Sequence, residues 1–305
     1  MDRNSFSYDP RFWHNIKPPK ETDVSGYFEY DEDATSLLRK WPRLDEAVSK
    51  TIVEVDSGSG YFTENLIQMT TTLEEMVAIE PDDVLREHAE QKQLPKVRFA
   101  EGTAEELPLP DGFADLTVCH IVLNLLPDVY RAVSEVARVT KSGGIVAAVE
   151  PGGGGISYYP DPKLSEMDEV VRKAYGKGIW DLRRELMDYS QELKQKRARY
   201  AEVFHSVGLI DVEAHGILSV FLLSDPRHNR REIISWLEKR LRIHESGRGR
   251  VGAILRRGGL SEQLIREYYQ AKKAYLSSLV MYPEQIPEMH ELQTTSRVVT
   301  IGFKP

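Results

Sequence analysis

The chain has 305 residues, 41% hydrophobic, 9% aromatic and 29% charged, with a net charge of -8. That balance supplies a sizeable core and excludes a disordered or fibrous chain. No uninterrupted apolar run approaches the roughly 18 residues of a membrane-crossing helix, so no membrane insertion is expected. The start, MDRNSFSYDPRFW, has no basic segment leading into an apolar one, and Cys119 is the single cysteine. The expectation is therefore a cytoplasmic protein without a secretory signal, a disulfide or a metal site.

Charge is uneven along the chain. Residues 1–150 hold 15 Lys and Arg against 28 Asp and Glu, whereas residues 151–305 hold 25 against 20. The two parts face different chemical tasks, and the modest basic excess of the second suits an anionic ligand better than nucleic acid.

Residues 1–35 are polar and aromatic, with Pro10, Pro18 and Pro19, and read as an N-terminal arm and candidate lid. A helix over about 33–49 leads into the first strand. Apolar, β-branched runs at 51–55, 76–79 and 116–120 are each followed by a helix-like segment, and a fourth at 144–149 follows a helix over 129–140. Strands alternating with helices at this spacing predict an α/β, doubly wound parallel sheet covered on both faces, with ligands beyond the carboxyl ends of the strands. Pro151 and Gly152 to Gly155 break the fourth strand, and a helical stretch spans about 164–207. Strands at 215–223 and 297–303 flank a charged helical insertion. The predicted organisation is the arm over 1–35, a core over 36–224 and 292–305, and a substrate cap over 225–291 inserted before the last strand.

The chemistry concentrates after the first strand, where Glu54-Val55-Asp56-Ser57-Gly58-Ser59-Gly60-Tyr61-Phe62 opens into a helix over 63–68. Glycines let the backbone pass close to a ligand, and a helix start presents N–H groups to it. The second strand ends Ile79-Glu80-Pro81, roughly 20 residues past the loop, where a carboxylate accepts the hydroxyls of a ribose or caps the next helix. The nicotinamide fingerprint G-x-G-x-x-G is not met, because Thr63 occupies its third glycine position.

Further stretches follow in order: Glu101-Gly102-Thr103-Ala104-Glu105-Glu106-Leu107-Pro108, Pro110-Asp111-Gly112-Phe113-Ala114-Asp115, Ile121-Val122-Leu123-Asn124-Leu125-Leu126-Pro127-Asp128 and Glu135-Val136-Ala137-Arg138-Val139-Thr140-Lys141-Ser142-Gly143-Gly144. With the loop and the Glu80 strand end, they make residues 51–150 resemble the class I S-adenosylmethionine-dependent methyltransferases. The resemblance is to the small-molecule group that includes the ubiquinone and menaquinone biosynthesis C-methyltransferases. It implies a mostly parallel, seven-stranded, Rossmann-like sheet and S-adenosylmethionine as cofactor, with S-adenosylhomocysteine as product. It also implies that Glu54 holds the amino end of the methionine part, that Asp56, Ser57, Gly58 and Gly60 lie against the cofactor, and that Glu80, followed by Pro81, takes the ribose hydroxyls. Thr103, Ala104 and Glu105 fall where relatives grip the adenine, and His120 and Ile121 border the sulfonium. The departures are Asp56 for the first glycine of the loop, Thr103 for a common aspartate and Asn124 for a common histidine.

On the acceptor side, His120 is the candidate general base, set against a packed histidine that only shapes the pocket, and Asn124, Tyr158 and Tyr159 are candidate substrate contacts. Residues 225–273 carry 13 Lys and Arg against 6 Asp and Glu, which suits an anionic acceptor or simply a solvated helix face. The expected function is methyl transfer to a small molecule by in-line displacement. An RNA or protein methyltransferase and an inactive cofactor-binding scaffold are the alternatives.

Overall fold

The computed structural model describes residues 38, 50–126, 128–152, 157–187, 200–226, 229–246 and 248–305. The arm over 1–35, most of the helix expected at 33–49 and the glycines at 153–155 lie outside them.

Strands β1 (Thr51–Val55), β2 (Glu75–Ile79), β3 (Val97–Ala100), β4 (Ala114–His120) and β5 (Thr140–Pro151) are parallel neighbours in the order β3-β2-β1-β4-β5. Their apolar runs are continuous because helices cover both faces. Alternation then sorts the side chains. Val53, Val55, Val77 and Ile79 enter one core layer, while Ile52, Met76, Leu116 and Val118 enter the other with Phe62, Leu66 and Met69 of helix α1 (Tyr61–Met69). Glu54 thus falls on the α1 face.

β8 (Leu292–Phe303) closes the sheet antiparallel to β5, and β7 (Ile210–Leu222) lies beyond it, antiparallel to β8. The seven strands have the order β3-β2-β1-β4-β5-β8-β7, to which β6 (Ser157–Tyr158) adds a two-residue pairing with β8. β3 is only four residues long, VRFA, too short for its alternation to stand out, so only the structure reveals it.

Helix α2 (Asp83–Glu90) begins at Asp82, whose carboxylate accepts from Val84 N and Leu85 N, and α3 (Val129–Val139) begins at Asp128, which accepts from Arg131 N. α3 buries Val129, Ala132, Val133, Val136 and Ala137 at helical spacing. Its Arg138 donates to the carbonyls of Leu107 and Leu109 and to Asp111, and Glu135 accepts from Leu107 N. These bonds tie the loop after β3 to α3.

Helices α4 (Pro162–Met187) and α5 (Tyr200–Ser206) precede β7. α6 (Arg230–Ser246), α7 (Arg248–Arg257) and α8 (Glu262–Met281) occupy the stretch between β7 and β8. α4 and α7 meet through Gly178 and Gly258, where an added Cβ would stand 2.0 Å from the Ile254 carbonyl oxygen and 1.9 Å from that of Ala174. No helix among the described residues is long and apolar enough to cross a membrane.

Candidate active site

The turn between β1 and α1 needs left-handed backbone at three positions, Asp56 (φ 64°), Gly58 (φ 56°) and Gly60 (φ 77°). Glycine adopts this conformation without steric cost, and aspartate tolerates it better than most side chains. Among the described residues a Cβ at Gly58 would meet nothing within 4 Å. The turn is held by Ser57 N donating to the Ile79 carbonyl at 2.9 Å and by Gly60 N donating to the Ser57 carbonyl at 3.0 Å. No side chain caps the start of α1.

Two fully enclosed carboxylates flank this loop. Glu54, 0% exposed, accepts from Thr63 Oγ1 at 2.6 Å through Oε2, while its Oε1 is buried without a hydrogen-bond partner among the described residues. Thr63, the residue that breaks the nicotinamide fingerprint, is therefore the group that orients Glu54. Burial, together with the nearby Asp56, pushes the Glu54 carboxyl up to about 8 against the opposing Thr63 bond. Glu80, 2% exposed, accepts from Gly58 N at 2.7 Å and from Asp82 N at 2.9 Å. One such bond to each oxygen leaves a lone pair on each for a further donor. Burial and Asp56 raise its carboxyl well above the usual range against those two bonds.

Asp56 faces the same space, its carboxyl raised to about 7 by burial and by Glu105 and Asp82. Beyond β3, Thr103 and Glu106 form a narrow turn, Ala104 is buried, and Glu105 has a buried Oε1 without a hydrogen-bond partner. Ser57 Oγ is a third such atom. A buried acceptor left unpaired costs about 1–3 kcal/mol, and three around one loop mark a place for a donor-bearing ligand. The carboxylates do not converge as metal ligands would, for among the described residues no group of three or more His, Cys, Asp and Glu could hold an ion.

At the end of β4 the His120 ring stacks on Phe62, with centroids 3.9 Å apart and planes 9° from parallel. Burial and then Arg297 lower its pKa to about 3, so the imidazole is neutral at physiological pH. Ile121 follows at φ 57°, a left-handed conformation that is costly for a β-branched residue, with its N–H held by the Val149 carbonyl at 2.8 Å.

The structure thus brings Glu54, Asp56, Ser57, Gly58, Gly60, Glu80, Glu105 and His120 to the carboxyl ends of β1, β2, β3 and β4. Tyr158 and Tyr159 stand apart from them. Tyr158 is 54% exposed beside β8, and the Tyr159 hydroxyl donates to Asp168 of α4 at 3.3 Å while its ring meets Tyr275 of α8 edge-on.

A methyltransferase domain family matches residues 53–148, the span that carries every loop just described. Residues 53–148 match a methyltransferase domain, and the chain has the class I methyltransferase fold. Among curated proteins, the uncharacterized methyltransferase YcgJ of Bacillus subtilis is 31% identical over 120 residues, which cover 38% of this chain and 44% of that protein. Demethylmenaquinone methyltransferase of Geobacillus stearothermophilus is 24% identical over 209 residues, covering 63% of this chain and 87% of that one. The chain spans under half the length of the first of these relatives. The solved structure of Haemonchus contortus phosphoethanolamine N-methyltransferase 2 with S-adenosyl-L-methionine is similar in fold, with a TM-score of 0.50 at 14% identity, covering 98% of this chain and 60% of that one.

Just beyond the matched span, one acid escaped the sequence reading. Glu150 closes β5 in the same Glu-Pro pair that closes β2 at Glu80, and that repeated dipeptide was the signal that could have found it. It accepts from Val122 N at 3.1 Å, Leu123 N at 2.8 Å, Asn124 N at 3.3 Å and Asn124 Nδ2 at 2.6 Å, and burial lifts it to about 7 against these bonds. Asn124, a candidate substrate contact, is in this structure a clamp that holds the segment after β4.

Proposed function

We propose that this chain transfers the methyl group of S-adenosylmethionine to a small-molecule acceptor. The observation that carries the reading is the set of buried oxygens of Glu54, Ser57 and Glu105, unpaired among the described residues, around the glycine loop, in the part of the chain that matches the methyltransferase family. When bound, the cofactor supplies an electrophilic methyl on a sulfonium, which an acceptor nucleophile displaces in line.

The residues fit such a ligand. Glu54 Oε1 accepts from the ammonium end, the free lone pairs of Glu80 accept from the ribose hydroxyls, and Glu105 accepts from the adenine side, with Ala104 as its apolar floor. Phe62 and His120 form a flat wall at the donor end. Because the His120 imidazole is neutral and a weak base, its part is to shape this wall and accept a hydrogen bond, and the transfer relies on alignment. The acceptor enters under the helices α4, α6, α7 and α8, which act as its cap. The basic surplus of that region does not by itself form an anion site, since Lys272, Arg240 and Arg256 are bonded to Asp168, Glu291 and Glu262. Relatives named demethylmenaquinone methyltransferase and 2-methyl-6-phytyl-1,4-hydroquinone methyltransferase put quinones and hydroquinones first among the acceptors to try.

The test is calorimetric titration of the wild type and of Glu80→Ala with S-adenosylmethionine, followed by transfer of a labelled methyl to a panel of hydroquinones and small carboxylates. Binding that weakens at least about tenfold in Glu80→Ala, with label recovered in a small product, is the expected result. A wild type that binds no cofactor defeats the reading, and label recovered only in RNA or protein moves the acceptor to a macromolecule.

A further inference from the structure

Glu54, His120 and Arg297 lie on one face of the sheet, and strand register fixes their order. His120 pairs with Val149 and Val149 with Val299, and two residues along β8 Arg297 pairs with Pro151 and with Ile217. Side chains two apart on a strand share a face, so Arg297 shares that of Val299 and Ile217. These two pack in one cluster with Phe62 of α1 and with Leu116 and Val118, which precede His120 at alternate positions of β4. Across this face run the buried Glu54 carboxyl on β1, the stacked Phe62 and His120 rings at β4, and the buried Arg297 guanidinium on β8. Only β5 separates β4 from β8. At about 4.8 Å per strand their backbones stand roughly 10 Å apart, a gap that one small molecule can span.

Arg297 also stands at a boundary. On the same face of β7, Ile217 belongs to the α1 cluster, whereas Phe221 packs with Leu237 of α6 and Leu276 of α8 in the cap. Between them the face carries Arg297 and the half-buried Ser219, a polar step between two apolar clusters. Arg297 Nη1 donates to the Ser296 carbonyl at 2.9 Å, and a guanidinium has five N–H donors in a planar fork, so this bond does not exhaust it. Glu150, beside Pro151 on β5, faces the opposite side by alternation and is engaged by Val122, Leu123 and Asn124. Arg297 also acts electrostatically on the His120 ring, in keeping with their shared face.

We propose that Arg297 is the anion-binding group of the acceptor site, so that the acceptor carries a negatively charged oxygen and lies between this guanidinium and the wall formed by Phe62 and His120. The inference rests on the methyl-transfer reading above and names its substrate class. A guanidinium meets a carboxylate or a phenolate with charge-assisted bonds, whereas a neutral acceptor of the same shape offers it weaker partners. In the cap, Lys272 and Arg240 are committed to Asp168 and Glu291, so the selectivity falls on Arg297.

The test is an NMR titration of the full chain, saturated with S-adenosylhomocysteine, at about pH 8. Two matched pairs of probes distinguish the sources of the charge, benzoate against benzamide for a carboxylate and para-nitrophenolate against para-nitroanisole for a phenolate. The expected result is that the anion of at least one pair binds at least about tenfold more tightly than its neutral counterpart and shifts the ring protons of His120. That preference should vanish in Arg297→Gln and survive in part in Arg297→Lys, while both variants bind S-adenosylhomocysteine as the wild type does. A wild type that prefers neither anion overturns the inference, as does a preference that persists in Arg297→Gln. Anion binding that leaves the His120 ring unmoved also overturns it, a result that needs no variant to fold and places the anion elsewhere. Failure of the wild type to bind S-adenosylhomocysteine overturns the methyl-transfer reading, and this inference with it.

Discussion

The carboxyl end of the sheet and the helical cap both bury charge, but they do so in opposite ways. In the cap, Asp168, 2% exposed, accepts from Tyr268 at 2.6 Å, from Lys272 at 3.1 Å and from Arg172 at 3.1 Å, and Glu291 accepts from Arg240 and Tyr275, each at 2.9 Å. At the glycine loop, Glu54, Asp56, Glu80 and Glu105 crowd together without a cation in contact among the described residues, and three buried oxygens there have no partner among those residues. A buried charge whose every bond is made within the chain is committed to structure, whereas one left unpaired waits for a ligand. The difference separates the region that holds the fold from the region that does chemistry, although both read in the sequence as polar residues among apolar ones.

The largest effect that this contrast predicts comes from removing one acid on each side. Asp168→Ala strands Lys272 in the cap and should lower stability by about 3–5 kcal/mol, read as a shift of the urea midpoint at constant slope. Glu54→Gln replaces a buried carboxyl that holds its proton with an amide of the same shape and should cost less than about 1 kcal/mol without ligand. Equal losses from the two variants would erase the distinction. A second comparison, inside the cap, sets Gly178→Ala against Gly176→Ala. The first drives a methyl into the Ile254 carbonyl and should cost about 3 kcal/mol. The second meets open space and should be neutral or stabilising by up to about 1 kcal/mol. If both melt alike, the α4–α7 contact is not as close as the structure has it.

How much of this was legible beforehand follows the same division. The parallel strands announced themselves because both faces are buried, which writes an unbroken apolar run, and the loop from Glu54 to Gly60 announced itself because a turn between strand and helix must use glycine or aspartate at left-handed positions. β3 stayed hidden because its four residues, VRFA, sit at the margin of the sheet, with Arg98 exposed. The cap network was illegible for another reason. Asp168 and Lys272 are 104 residues apart, and nothing local distinguishes a lysine that meets a buried aspartate from one on a solvated helix face. Tyr159 was singled out for the acceptor, yet it belongs with this network.

The contrast also has a pH signature. Glu54 at about 8 and Asp56 at about 7 lie above their ordinary values of 4.5 and 3.8, so the folded chain holds these protons more tightly than the unfolded one. Their stabilisation is complete below about pH 4 and is lost as pH rises through 7 and 8. Asp168 behaves conversely. Burial alone would raise it, but Lys272, Tyr268 and Arg172 more than offset this and hold it below 3.8, so its contribution is lost only in acid. Ligand-free protein should therefore lose stability as pH rises from about 5 to 8, each of these two carboxyls contributing up to one proton, about 1.4 kcal/mol per pH unit, until the pH passes its folded value. In Glu54→Gln the slope should shrink, and in Asp168→Ala it should persist. A flat profile for the wild type would mean that the loop carboxylates are solvated or paired, and the contrast with the cap would fail.

The smallest expected effect is the absence of one. His120 is the histidine nearest the chemistry, and an imidazole in water titrates near neutrality. In this structure its ring lies on Phe62, and burial and Arg297 oppose its protonation, so it should remain neutral throughout the working range. Its ring carbon protons, followed by NMR from about pH 5 to 9, should show no inflection of their own. An inflection near pH 6.5 would place the ring in water rather than against Phe62 and would restore it as a general base. Without one, the cationic ligand proposed for this end of the sheet meets a neutral ring beside a set of acids, and the attraction is not cancelled by an imidazolium at the same place.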